Sequence, residues 1–209
     1  MIMNNIEEDE EDDDEIKVIL IGETGTGKTS LINTSIGLDF KEKLEPTQSS
    51  SIVPKKMDIN NKEYTINLWD TIGQEQYRSL NKIFMKGAKI VFFVYDITSK
   101  KTFEQLEFWF ENTKEVLGES PILAIIGNKS DLYYEEEVTE EEGEEYAKKR
   151  GVPFKLTSAK TPKLFCEYLK ELVIKYLKKM EERAESTVFK GIKINEDDEK
   201  KEVKKKKCC

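Results

Sequence analysis

The first residues that could do chemistry form the run Gly22-Glu23-Thr24-Gly25-Thr26-Gly27-Lys28-Thr29, which fits G-x-x-x-x-G-K-[ST]. The glycines let the backbone curl so that its N–H groups, from Gly25 through Thr26 and Gly27 into Ser30, point at phosphate oxygens. A helix starting at Lys28 would add positive potential at the same place. Lys28 can reach the β- and γ-phosphates, and the Thr29 hydroxyl suits Mg²⁺. Such a loop serves ATP as readily as GTP, so the base has to be read elsewhere. Asn128-Lys129-Ser130-Asp131 offers that reading. A carboxylate at Asp131 can accept from both N1 and the 2-amino group of guanine, a pair that adenine lacks, while Lys129 lies along the base. Ser158-Ala159-Lys160 stands at the next strand end, a placement that supports guanine recognition.

These motifs need strands ahead of them and helices behind. Short β-branched or aromatic runs alternate with amphipathic stretches, and the expected strands are 16–21, 51–58, 63–69, 89–96, 122–126 and 153–156. Val18-Ile19-Leu20-Ile21 and Ile122-Leu123-Ala124-Ile125-Ile126 are apolar without alternation, as parallel strands buried on both faces are. The polar link Ile59-Asn60-Asn61-Lys62 reads as a hairpin that makes the second and third strands antiparallel. Capping-box spacing marks helix starts at Thr102 with Gln105 and at Thr139 with Glu142, and Pro162 suits a first helical turn. Phe165, Tyr168, Leu169, Leu172, Tyr176 and Met180 fall on one stripe of the last helix and read as core. The expectation is an α/β fold: a doubly wound, mostly parallel six-stranded sheet with helices on both faces and ligands at the carboxyl ends of the strands.

The chain of 209 residues is long enough for one domain of about 16–183, with tails. Residues 1–15 read as a disordered acidic arm and 184–209 as a flexible tail, both charged and poor in apolar side chains. The net charge is −8, yet nine consecutive acids from Glu7 to Glu15 outweigh it, and the rest of the chain is close to neutral. A near-neutral body with an acidic arm argues against nucleic acid as a partner. The absence of histidine removes Ser-His-Asp and Cys-His nucleophiles and every His-ligated metal site. Three cysteines, Cys166, Cys208 and Cys209, fit a reducing, intracellular setting, and neither a transmembrane run nor a secretory leader is expected.

With these motifs in place the chain resembles the Ras-like small GTPases, and the Rab family in particular, over about 16–180. Trp69-Asp70-Thr71-Ile72-Gly73-Gln74-Glu75 resembles that family's WDTAGQE segment, Tyr95-Asp96-Ile97-Thr98 its YDIT, and Cys208-Cys209 its terminal cysteine pair. The resemblance implies that Thr47 binds Mg²⁺ and senses the γ-phosphate, and that Asp70 holds Mg²⁺ through water. It implies that the Gly73 N–H meets the γ-phosphate, that Gln74 orients the attacking water as a catalytic residue beside Lys28, and that the Ala159 N–H reaches guanine O6. Phe40 would pack against the guanine edge, or else serve as a core residue. Ile52, Trp69 and Phe84 are the counterparts of the apolar cluster that effectors read, or else plain core. The chain departs from the family pattern at Gln48-Ser49-Ser50-Ser51-Ile52, a polar stretch, and at Ile72, a bulky residue where a small one is usual.

The function implied is a GTP/GDP switch that hydrolyses GTP and regulates vesicle trafficking. Its partners would be an exchange factor, an activating protein, a GDP-dissociation inhibitor and effectors. Geranylgeranyl groups on Cys208 and Cys209 would bring it from the cytosol to the cytoplasmic face of an endomembrane. Two other readings stand beside it: a GTP-bound adaptor with little turnover, because Thr24 and Ile72 crowd the γ-phosphate, and a P-loop ATPase.

Overall fold

The computed structural model describes residues 14–45, 47, 49–71, 84–118 and 120–205, with side chains through 185. Six strands make one sheet: β1 (Glu15–Ile21), β2 (Ser51–Ile59), β3 (Lys62–Asp70), β4 (Ile90–Asp96), β5 (Ile122–Asn128) and β6 (Phe154–Leu156). Their order across the sheet is β2-β3-β1-β4-β5-β6. Only the β2–β3 pair is antiparallel, and the other four neighbouring pairs are parallel. The doubly wound, mostly parallel six-stranded sheet is therefore what the apolar runs predict.

Around the sheet lie α1 (Lys28–Ser35), α2 (Lys100–Glu104), α3 (Leu106–Leu117), α4 (Glu140–Arg150) and α5 (Pro162–Lys205). The parallel strands all finish on one side. There Ile21 runs into the phosphate loop, and Asp70, Asp96 and Asn128 end β3, β4 and β5. Between β2 and β3, Asn60 and Asn61 turn the chain with φ of 54° and 63°, a conformation that asparagine tolerates and bulkier residues avoid.

β4 is buried at every position. Alternation sends Phe92 to one face, where its ring meets Phe165 and Tyr168 edge-on at 5.6 and 5.5 Å. Phe93 goes to the other, stacked on Phe110 at 3.9 Å. Two layers of helix are thus joined through one central strand, each ring pair adding about 0.5–1.5 kcal/mol beyond its buried area. The helix stripe is core through Leu172, but Met180 is 41 % exposed, so the core face ends before it.

Two helix signals turn out differently. Thr139 and Glu142 make both halves of a capping box, with hydrogen bonds of 3.3 and 2.9 Å. Thr102, in contrast, caps nothing: only three residues separate the end of β4 from the start of α2 at Lys100. The Thr102 hydroxyl accepts the Asp96 N–H at 3.0 Å and donates to the Ser99 carbonyl at 2.8 Å. A short connection moved the helix start upstream of the residue whose spacing marked it. The chain divides after Leu172 into a first unit holding the sheet and a second unit from Val173 on. Where the sequence suggests a flexible tail from 184, the backbone is helical through Lys205. Lysine and glutamate build no core, but they are good helix formers. Among the described residues no helix is long and apolar enough to cross a membrane.

Gly143 sits inside α4 for a packing reason. A Cβ there would lie 2.6 Å from Phe154 Cζ and 2.7 Å from Tyr95 Oη, both on aromatic rings, and Tyr95 is fully buried. Gly143→Ala therefore trades better helix propensity for overpacking, and the net loss expected is about 1–2 kcal/mol. Thermal unfolding should show a lower midpoint for the variant; an equal or higher midpoint would mean that Phe154 gives way freely.

Candidate functional site

The phosphate loop is shaped by what surrounds it. Gly22 passes so close to β4 that a Cβ would sit 2.1 Å from the Val94 carbonyl oxygen, and a Cβ on Gly27, at φ 88°, would lie 2.4 Å from Asn128 Nδ2. Gly27 is the N-cap of α1 and gives it no side-chain hydrogen bond, so the first N–H groups of the helix are left to an anion. Gly25 is exposed at the turn. Thr26 is buried, and its hydroxyl donates to the Glu23 carbonyl at 3.0 Å.

Asn128 ties this loop to the far strands. Its Nδ2 donates to the Thr26 carbonyl at 2.8 Å, and its Oδ1 accepts from Thr157 Oγ1 at 3.1 Å. Asp131 lies one turn on. Its Oδ1 accepts from Ser158 Oγ at 2.5 Å, and its Oδ2 is 3.0 Å from Lys160 Nζ. Burial alone would raise the Asp131 carboxyl, but the hydrogen bonds from Ser158 and Lys160 hold it below the usual range. The Lys160 N–H returns to Ser158 Oγ at 3.1 Å. Lys160 Nζ also stands 5.5 Å from the Phe40 ring, which is 37 % exposed rather than core.

On the other side of the loop, three groups converge from 41 residues of chain. Thr29 Oγ1 donates to Asp70 Oδ2 at 2.7 Å, and Thr47 Oγ1 lies 2.8 Å from Thr29 Oγ1. Since the single Thr29 proton goes to Asp70, Thr47 is the donor of the second bond. Asp70 Oδ1 is buried and, among the described residues, has no hydrogen-bond partner. An orphan carboxylate oxygen beside two hydroxyls is an oxygen donor set that fits a hard cation such as Mg²⁺. Lys28 is 5 % exposed and donates to the carbonyls of Gly22 and Glu23, both at 2.8 Å. Burial pushes its pKa down to about 8 against the pull of Asp70 and Glu23. Burial pushes Asp70 up, with the Thr29 bond and the Lys28 charge opposing.

These groups line a cleft of about 400 Å³ that holds Gly25, Gly27, Lys28, Thr29, Ser30 and Phe40 together with Thr47, Asn128, Lys129, Asp131, Ala159 and Lys160. Thr26, Asp70 and Ser158 stand behind that lining, bonded to its members. Gly73 and Gln74 lie outside the described residues, as do Cys208 and Cys209. Sequence reasoning assigned no role to Thr157, whose hydroxyl orients Asn128, or to Thr71, which donates to the Leu20 carbonyl at 2.6 Å. Each is a buried polar residue directly after a strand, a signal available in the sequence but weak alone.

The chain matches the Ras family over residues 17–180. It is 37 % identical to the Ras-related protein Rab-21 of Geodia cydonium over 161 residues, covering 77 % of this chain and 70 % of that protein. With the Ras-related protein Rab-21 of Homo sapiens it shares 32 % identity over 204 residues, covering 92 % of this chain and 90 % of the other.

The buried ammonium gives the site a pH signature. The folded-state pKa of Lys28, about 8, lies below its ordinary value of 10.5, so the unfolded chain holds more protons across that window and stability rises with pH there. For the nucleotide-stripped protein, moving from pH 7.5 to 9.5 should stabilise wild type over Lys28→Met by about 2 kcal/mol. Urea titrations at the two pH values measure this; an unchanged difference between the two proteins would show that Lys28 is not desolvated.

Proposed function

The chain belongs to the Ras family of small GTPases, in its Rab branch, and from that premise we propose that it is a GTP/GDP switch of vesicle trafficking whose nucleotide site is the cleft between the phosphate loop and Asp131. It is a GTPase: it binds guanine nucleotides and hydrolyses GTP to GDP and phosphate, under the control of regulators and effectors. The observation that carries the switch reading is the Thr47–Thr29–Asp70 contact, which joins a residue of a connecting segment to the phosphate loop and to a strand end. A connecting segment held there by ligand contacts can be released when they are lost.

In this reading Lys28 contacts the β- and γ-phosphates, and the N–H groups from Gly25 to Ser30 receive the phosphate oxygens. Thr29, Thr47 and Asp70 hold Mg²⁺, which when bound neutralises phosphate charge. Asn128, Lys129, Asp131, Ser158, Ala159 and Lys160 take the guanine, with Phe40 against its edge. From the Asp70-Thr71-Ile72-Gly73-Gln74 run, Gly73 gives its N–H to the γ-phosphate and Gln74 orients the attacking water. Arg150, one of three arginines, pairs with Glu107 and packs on Tyr146, so it is engaged away from the cleft. Unaided hydrolysis is slow in this reading, and an arginine from an activating protein adds about 10³–10⁵ in rate. An exchange factor, a GDP-dissociation inhibitor and effectors complete the set of partners. Geranylgeranyl groups on Cys208 and Cys209 hold the chain at the cytoplasmic face of an endomembrane, where two lipid chains anchor stably and one is marginal.

Base recognition is tested by calorimetry. GDP should bind about 10³-fold or more tighter than ADP, because adenine cannot offer Asp131 the N1–H and 2-amino donors of guanine. Comparable affinities would return the chain to the general phosphate-loop class. For turnover, Gln74→Leu should slow single-turnover hydrolysis with activating protein and keep GTP affinity near wild type. If wild type itself does not turn over under those conditions, the GTP-bound adaptor is the better description. Replacing Cys208 and Cys209 together by serine should leave GTP binding intact and move the protein from the membrane fraction to the cytosol; continued membrane association rules out the lipid anchor.

A further inference from the structure

Asp96 ends β4 beside Asn128, its ladder partner at the end of β5. Its carboxylate is largely buried, with 9 % of the side chain exposed, and Oδ2 is 2.5 Å from Lys129 Nζ. The other oxygen is fully engaged: Oδ1 accepts the Thr98 N–H at 2.9 Å and the Thr98 hydroxyl at 2.8 Å. Lys129 in turn has a left-handed backbone, φ 65°, which a non-glycine residue keeps only when its surroundings impose it. Its amine points back to Asp96 while the residue lines the cleft.

A free lysine side chain loses rotamer entropy when a ligand fixes it. Here Asp96 has fixed it beforehand. We propose that Asp96 is a positioning residue for the bound guanine nucleotide: by holding the Lys129 ammonium it keeps the lysine stem along the base and sets the residence time of GDP and GTP. The inference rests on the reading of Lys129 as a base contact given above. It separates two jobs within one site, since Asp131 chooses guanine and Asp96, through Lys129, determines how long the nucleotide stays.

The test is release of fluorescent GDP from the full chain in magnesium, followed by stopped flow. Asp96→Asn keeps the shape and one acceptor for Thr98 but loses the charge, and release should quicken roughly ten- to hundredfold. Lys129→Met should quicken release as well, and the double variant should be no faster than Lys129→Met alone. The GDP-over-ADP preference of Asp96→Asn should match wild type, which a general loss of structure would not preserve. Thr98→Val, which removes one donor to Asp96, covers the case in which Asp96→Asn does not fold. It should quicken release severalfold in the wild-type background and leave Lys129→Met unchanged. Unaltered release in Asp96→Asn beside fast release in Lys129→Met overturns the positioning role. So do additive effects of the two changes. Unaltered release in Lys129→Met removes the base contact itself, a result distinct from the other two.

Discussion

One buried amide sets the terms for the cleft. Asn128 is 1 % exposed, and both of its polar ends are used, by the Thr26 carbonyl on one side and the Thr157 hydroxyl on the other. Leaving such a group unpaired costs about 1–3 kcal/mol, so the phosphate loop, the end of β5 and the loop after β6 must hold their places together. Gly27 exists in this frame because Asn128 occupies the space its Cβ would need. In the proposed reading the phosphate half and the base half of the site are thus two sides of one side chain.

The phosphate half stores charge in a dry place. Lys28 is buried with two carbonyls, and Asp70 is buried with one oxygen unmatched among the described residues. Each ion is disfavoured by desolvation, and in the proposed reading a nucleotide with its divalent cation would relieve both. In that reading binding gains from electrostatic stress already present in the protein, and Thr47 is the member of the set that sits on the connection between α1 and β2.

Much of the architecture is legible in the sequence because parallel strands buried on both faces have nowhere to put a polar residue. β1, β4 and β5 could be placed from continuous apolar runs, with ends within a residue or two. The phosphate loop and the Asn128 to Asp131 segment could be read because their chemistry constrains consecutive residues. Thr102 misled because a capping box is a local pattern, whereas the length of the link from β4 to α2 is decided by packing. The roles of Thr157 and Asp96 lie in contacts between strand ends far apart in the chain, which no spacing records. The helical backbone of the tail leaves no mark in the apolar pattern, because lysine and glutamate favour a helix without building a core.

The antiparallel strand β2 lies at one border of the sheet and the three-residue β6 at the other. An open border is a template for a foreign strand. β2 carries Pro54, which has no N–H to offer, followed by Lys55 and Lys56, and most of its residues face solvent or nearly so. β6 is too short to recruit a long partner. Both margins are thus guarded, one by a proline and two lysines and the other by its shortness, so the sheet offers a second chain little backbone to pair with.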